Sequence, residues 1–162
     1  MPKPRDERLD LSVENAVLLW CMRSWVADMG QPAQAGQRIG EMLGRLGAEH
    51  AGPYVEGLMF AVGHGAERRV GVQCVGCPRI GPDERLLLDC IALAQAHRPF
   101  EALLSLREIL SSEGARAALR SAEGIGGALA CAQRFLPTPE IEVRRAVFAS
   151  RERLNPDHAT TG

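Results

Sequence analysis

The stretch Pro82-Asp-Glu-Arg-Leu-Leu-Leu-Asp-Cys-Ile-Ala-Leu-Ala-Gln-Ala96 decides the fold. Pro82 suits the first position of a helix, where a missing N–H costs nothing, and Asp83 and Glu84 face the positive end of the helix dipole. Leu86, Leu87, Cys90, Ile91 and Ala94 then recur at three- and four-residue steps, the period of one buried helical face. Arg98-Pro99 ends the segment, because a residue before proline is pushed out of helical geometry.

Outward from this helix the same signals repeat. Ser12 reads as an N-cap for a helix that runs to Met29 and stops at Gly30. Two apolar stripes, one through Val17, Trp20 and Cys21 and one through Leu18, Met22 and Trp25, suggest a helix packed on two sides. A second helix is predicted from Pro32 to Leu46, with Ile39, Met42, Leu43 and Leu46 inward and Gly47 as its stop. Gly36, Gly40 and Gly44 run beside that face. Each interior glycine costs about 1 kcal/mol relative to alanine, so either a neighbouring backbone approaches closely or the helix is marginal. A third helix spans Pro53 to Gly63. Val70, Val72 and Cys74 alternate with Gly71 and Gln73, the period of a short strand, with no partner strand in view.

Pro99 opens a fifth helix through Leu110, and Ser112-Glu113 caps a sixth. Gly124-Ile-Gly-Gly is read as a break, with a seventh helix resuming through Leu129, Cys131 and Phe135 until Pro137. The expectation is an all-α protein, an irregular bundle of six or seven helices with at most one short strand. Its organisation is a flexible N-terminus (1–10), a helical domain (11–137) and a charged tail (138–162) that is partly helical or disordered.

Composition agrees. With 162 residues, the chain fits one domain and can bury roughly 70% of its unfolded surface. Aromatic residues are only 4%, leaving Leu, Ala, Val, Ile and Met to build the core, a choice that favours helices over sheets. The net charge of −1 gives no attraction for nucleic acid. The longest apolar run, Val13 to Met29, is broken by Glu14, Asn15, Arg23 and Asp28, so no membrane span is expected. The first ten residues lack the order of a signal peptide. These features predict a cytoplasmic protein whose five cysteines stay reduced. Lys3 is its single lysine, an arginine bias read as codon pressure in a GC-rich bacterium.

Cys74-Val-Gly-Cys77-Pro-Arg79 is the one constellation with a chemical logic. Two thiolates at this spacing can share a metal, and a tetrahedral zinc site needs two more ligands. Cys90 and His64 are the candidates, giving Cys74, Cys77, Cys90 and His64 as a ligand set, although Cys90 falls on an apolar helix face. The pair could instead cycle between dithiol and disulfide, with Arg79 favouring a thiolate. The blandest account is a tight turn whose sulfurs pack as small hydrophobes. Cys21 and Cys131 are assigned to core packing. No histidine pairs with Ser or Cys at a triad spacing, so an enzyme acting through His64 and Cys74 is a distant third class. Gly124-Ile-Gly-Gly lacks the strand and spacing of a dinucleotide fingerprint. Asp83 and Glu84 are accounted for by the helix dipole. A helix-turn-helix built on the last helices would present alanines and leucine where a DNA reader needs polar groups.

Cys77-Pro-Arg79, followed by Asp83-Glu84 and Leu86-Leu-Leu88, resembles a family of short helical alphaproteobacterial proteins of unknown function. There a Cys-Pro-Arg turn precedes an acidic-capped, leucine-rich helix. The likeness covers Val70 to Ala96 and implies the helical fold without implying an activity. The functional expectation is therefore a non-enzymatic interaction or regulatory protein, with a protein partner or a homodimer. The alternative is a metal-binding or thiol-redox protein using Cys74 and Cys77.

Overall fold

The structure, a computed structural model, describes residues 1–139, so the expectation for the tail from Glu140 lies outside the described residues. Within them the protein is an all-α bundle of six helices with no strand: α1 (Val13–Ala27), α2 (Pro32–Gly44), α3 (Gly52–Gly65), α4 (Pro82–Gln95), α5 (Pro99–Leu106) and α6 (Ser112–Cys131). No helix among the described residues is long and apolar enough to cross a membrane.

Local chemistry sets the helix ends. The Ser12 hydroxyl accepts from the Asn15 amide at 3.2 Å, and Ser111 accepts from Gly114 at 3.1 Å. Each satisfies one of the amides a helix start leaves unpaired. The four other helices carry proline in their first turn without a side-chain cap. After α2 the chain reverses at Gly47, whose φ of +72° is the left-handed geometry that glycine accepts at no steric cost. His97 takes the same role after α4 at φ 58°, where the Arg98 amide reaches back to the Leu93 carbonyl at 2.9 Å.

One continuous core unites the helices, through residues such as Leu18, Ile39, Leu58, Leu87, Ile91 and Ile125. Each fully buried Leu or Ile contributes about 1.5–3 kcal/mol. The most extensive contact is between α3 and α6, and α4 packs on both α5 and α6. Small residues let α3 and α6 approach. A Cβ on Gly65 would lie 2.7 Å from the Gly114 Cα, and one on Gly57 would lie 2.8 Å from the Ser121 hydroxyl. These pairs, with Tyr54 against Gly124, set the two helices antiparallel.

One expectation is corrected and three are made more specific. Gly124-Ile-Gly-Gly does not break the chain, and the expected sixth and seventh helices are one, α6. A Cβ on Gly124 would strike the Tyr54 ring at 2.3 Å, and one on Gly126 would meet the Gln95 backbone at 3.0 Å, so these glycines are contact points of a continuous helix. The α2 glycines are looser. Gly36 faces only the flexible Glu56 carboxylate, and a Cβ on Gly40 would meet nothing within 4 Å. Val70 to Cys74 is no strand, although its alternation is real. Val70 and Val72 rest on the core while Gly71 and Gln73 face outward. Lastly, the first ten residues, expected to be flexible, include a short 3-10 helix at Glu7–Asp10 that docks on the loop before α4.

Candidate functional site

The loop 66–81 between α3 and α4 has no regular structure, and it is held from beneath. Its base is Arg23, the one basic side chain on the inner face of α1, only 1% exposed. The guanidinium donates from Nε to Glu84 Oε1 at 2.8 Å and from Nη2 to Glu84 Oε2 at 2.9 Å. Its remaining donors reach the Cys77 carbonyl at 2.7 Å and the Arg79 carbonyl at 2.6 Å. Glu84, with no exposure, also accepts from the Gln73 amide at 2.9 Å and the Gly81 amide at 2.9 Å. Burying two charges costs several kcal/mol per ion, and the expense is offset only when every donor and acceptor is met. Here the surplus hydrogen bonds all go to the loop backbone.

Asp83 repeats the device one residue earlier. Its carboxylate accepts from Arg68 at 2.7 and 3.0 Å and from the Gly71 amide at 2.8 Å. The two carboxylates thus take the amides of Gly71 and Gln73 that a neighbouring strand would have taken. This explains a strand-like pattern without a sheet.

The electrostatics follow. Burial works to raise the Glu84 carboxyl pKa, but the Arg23 guanidinium and the Gly81 and Gln73 amides outweigh it and hold the group below its ordinary value. The hydrogen bond from Arg68 lowers Asp83, against partial burial and with help from Gly71. Reading these acids as dipole partners alone was incomplete. What sequence reasoning missed was Arg23, and the signal was the one basic residue of α1, standing between Met22 and Ser24 on its buried side.

The N-terminal segment closes the loop from the other side. The Glu7 amide donates to the Pro78 carbonyl at 2.9 Å, and the Glu7 carboxylate accepts from the Ile80 amide at 2.8 Å. Arg8 is clamped by Asp6, at 2.7 and 2.8 Å, and reaches the Val75 carbonyl at 3.5 Å. Its guanidinium is stabilised as a cation first by the Asp6 hydrogen bond, against some desolvation.

Cys74 and Cys77 share one turn, in which the Cys77 amide donates to the Cys74 carbonyl at 3.0 Å. Both are free thiols, Cys74 exposed and Cys77 half-buried. Cys90 and His64 are not gathered with them into one ligand set. Cys90 is sealed in the core, its thiol directed to the Ala102 carbonyl at 3.6 Å, and burial pushes its pKa well up. His64 is exposed near the end of α3, its Nδ1 2.9 Å from the Phe60 carbonyl. Among the described residues no group of three or more His, Cys, Asp or Glu side chains is assembled to hold a metal ion. A metal at this turn would have the two sulfurs as its protein donors. Cys21 is buried as expected, which pushes its thiol up to about 12. Cys131 is instead exposed, contrary to its assignment to the core.

A second feature, not anticipated, lies on the α3–α6 pair. An open groove of about 430 Å³ is lined by Tyr54, Gly57, Phe60, Ala61, Arg120 and neighbours on α6. Tyr54 and Phe60 are 46% and 49% exposed. Phe60 is braced edge-on by Trp25 at 5.3 Å, and Tyr54 is seated against Gly124. Both rings are therefore held in place while still presenting apolar area. No family model, curated protein or solved structure matches this chain.

Proposed function

We propose that this chain is a non-enzymatic interaction or regulatory protein that engages a protein partner through the α3–α6 groove. The reading is carried by one observation: two braced aromatic rings, each nearly half exposed, line a concave surface that includes Arg120. Rigid aromatic anchors lose little side-chain entropy on binding, and aromatic and arginine residues supply much of the energy at protein interfaces. The partner segment is one that places an apolar side chain between the rings and a carboxylate opposite Arg120. The near-neutral charge favours a protein over a nucleic acid, and we read the setting as the bacterial cytoplasm.

The test is site-specific photo-crosslinking in cells, with a benzophenone amino acid replacing Phe60 and, as a control, Phe100 on α5. A single dominant adduct from position 60 that disappears with Arg120→Glu supports the reading. An adduct that is a second copy of the chain identifies the partner as a homodimer. Equal labelling from both positions, or none from position 60, would count decisively against the groove. A second reading, a metal-binding or thiol-redox protein, is favoured by the hydrogen-bonded turn that brings Cys74 and Cys77 together.

A further inference from the structure

We infer that Cys74 and Cys77 form a reversible dithiol–disulfide couple, in which Arg8 is a positioning residue and a low-molecular-weight disulfide is the oxidant. The inference deepens the thiol reading and is independent of the groove.

Geometry comes first. The hydrogen bond from the Cys77 amide to the Cys74 carbonyl closes a turn around Val75 and Gly76. Such a turn keeps its first and last Cα atoms within about 7 Å. A disulfide spans Cα separations of roughly 4.4–6.8 Å, so closing this one needs little rebuilding of the backbone. The turn is also fixed from three sides: Arg23 holds the Cys77 carbonyl at 2.7 Å, Glu7 holds the Pro78 carbonyl at 2.9 Å, and Arg8 stands against the Val75 carbonyl. The backbone that carries both cysteines is one preformed unit.

Access and charge come next. Of the five cysteines, Cys21 and Cys90 are sealed and Cys131 ends a different helix, leaving Cys74 and Cys77 as the accessible neighbours. Arg8, held by Asp6, lies against the same turn at the Val75 carbonyl. The thiolate is the form that attacks a disulfide.

The chemistry balances as a two-step exchange. The exposed Cys74 thiolate attacks one sulfur of a glutathione-type disulfide, forming a mixed disulfide and expelling one small thiolate. The Cys77 thiolate then attacks the Cys74 sulfur, closing the Cys74–Cys77 bond and expelling the second. The protein loses two electrons and two protons, and the oxidant gains both as two small thiols.

The experiment equilibrates the full chain in glutathione buffers ranging from reduced to oxidised, traps thiols with a maleimide, and maps the products by mass spectrometry. Expected is the joint loss of two thiols, located at Cys74 and Cys77 and reversed by a dithiol reductant. Cys74→Ser and Cys77→Ser should each stop at a retained glutathione adduct on the remaining sulfur, with an unchanged far-ultraviolet dichroism spectrum. Arg8→Ala should slow the first step several-fold and Arg8→Lys should retain most of the rate. The inference is overturned if both thiols survive the fully oxidised buffer, or if the bond formed joins Cys131 of two chains. It is also overturned if one equivalent of zinc bound to the reduced pair blocks oxidation throughout.

Discussion

Arg23 and Glu84, 61 residues apart in sequence, meet through two hydrogen bonds of 2.8 and 2.9 Å with both side chains sealed from solvent. Through them α1, α4 and the 66–81 loop become one mechanical unit. Arg23 also binds the Cys77 and Arg79 carbonyls, and Glu84 the Gln73 and Gly81 amides.

Breaking this pair from one side leaves an uncompensated buried charge. Arg23→Met or Glu84→Leu should each lower stability by about 3–5 kcal/mol. That is a fall in Tm of roughly 10 °C for a domain of this size. Replacing both with apolar residues is often harmless for a buried pair. Here the double variant should stay well below wild type, because four backbone groups of the loop lose their partners. Calorimetry of the two single variants and the double variant decides it, and full recovery in the double would refute the assignment.

Acid should loosen the loop. Glu84 and Asp83 both titrate below their ordinary values of 4.5 and 3.8 in the folded protein. Their contribution is therefore fully present above those values and is lost as pH falls through the lowered, folded-state ones. Chemical denaturation between pH 7 and pH 2 should show a decline beginning near pH 4.5. Asp83→Asn, which also removes the Arg68 ion pair, should flatten part of it.

The glycines separate by what surrounds them. Gly114→Ala would place a methyl 2.8 Å from the Gly65 Cα and 3.4 Å from its carbonyl oxygen, backbone atoms that cannot turn aside. Overpacking of this kind costs about 1–3 kcal/mol. Gly127, further along the same helix, has nothing within 4 Å of its would-be Cβ. Gly127→Ala should stabilise by up to about 1 kcal/mol through helix propensity. Urea midpoints of the two variants should therefore move in opposite directions.

The thiols should fall into two classes. Cys74, Cys77 and Cys131 should react with an alkylating agent in the native protein, while Cys21 and Cys90 wait for global unfolding. A mass-resolved alkylation time course in native buffer and in denaturant checks this. Rapid native labelling at Cys90 would contradict its place in the core.

What was legible in the sequence was whatever local chemistry decides. The start of α4 at Pro82, the Ser12 cap and the Gly47 turn were all readable from neighbouring residues. Parts of the inward face of α6 were readable as well, since Ala118, Ala122 and Leu129 were placed on helix faces and are buried, while Ile125 was hidden in the supposed break. Cys131 faces outward because it lies two positions beyond the buried Leu129, more than half a turn away. The misses arise from distance. Nothing near Glu84 announces Arg23, and the helix dipole supplied a sufficient local reason for its position. Likewise, a glycine pair looks like a break until the Tyr54 ring and the Gln95 backbone are known to lie against it. Of the candidate site, the cysteine turn was visible, while Arg8, Arg23 and the aromatic groove come from elements that only folding brings together.

The three carboxylates that catch amides of the 66–81 loop have a dynamic consequence. Gly71, Gln73, Gly81 and Ile80 are protected by Asp83, Glu84 and Glu7 rather than by any ladder of main-chain bonds. Proton exchange at those four amides should therefore report on the carboxylates that hold them. Protonating those carboxylates should free these amides to exchange ahead of the amides inside the helices.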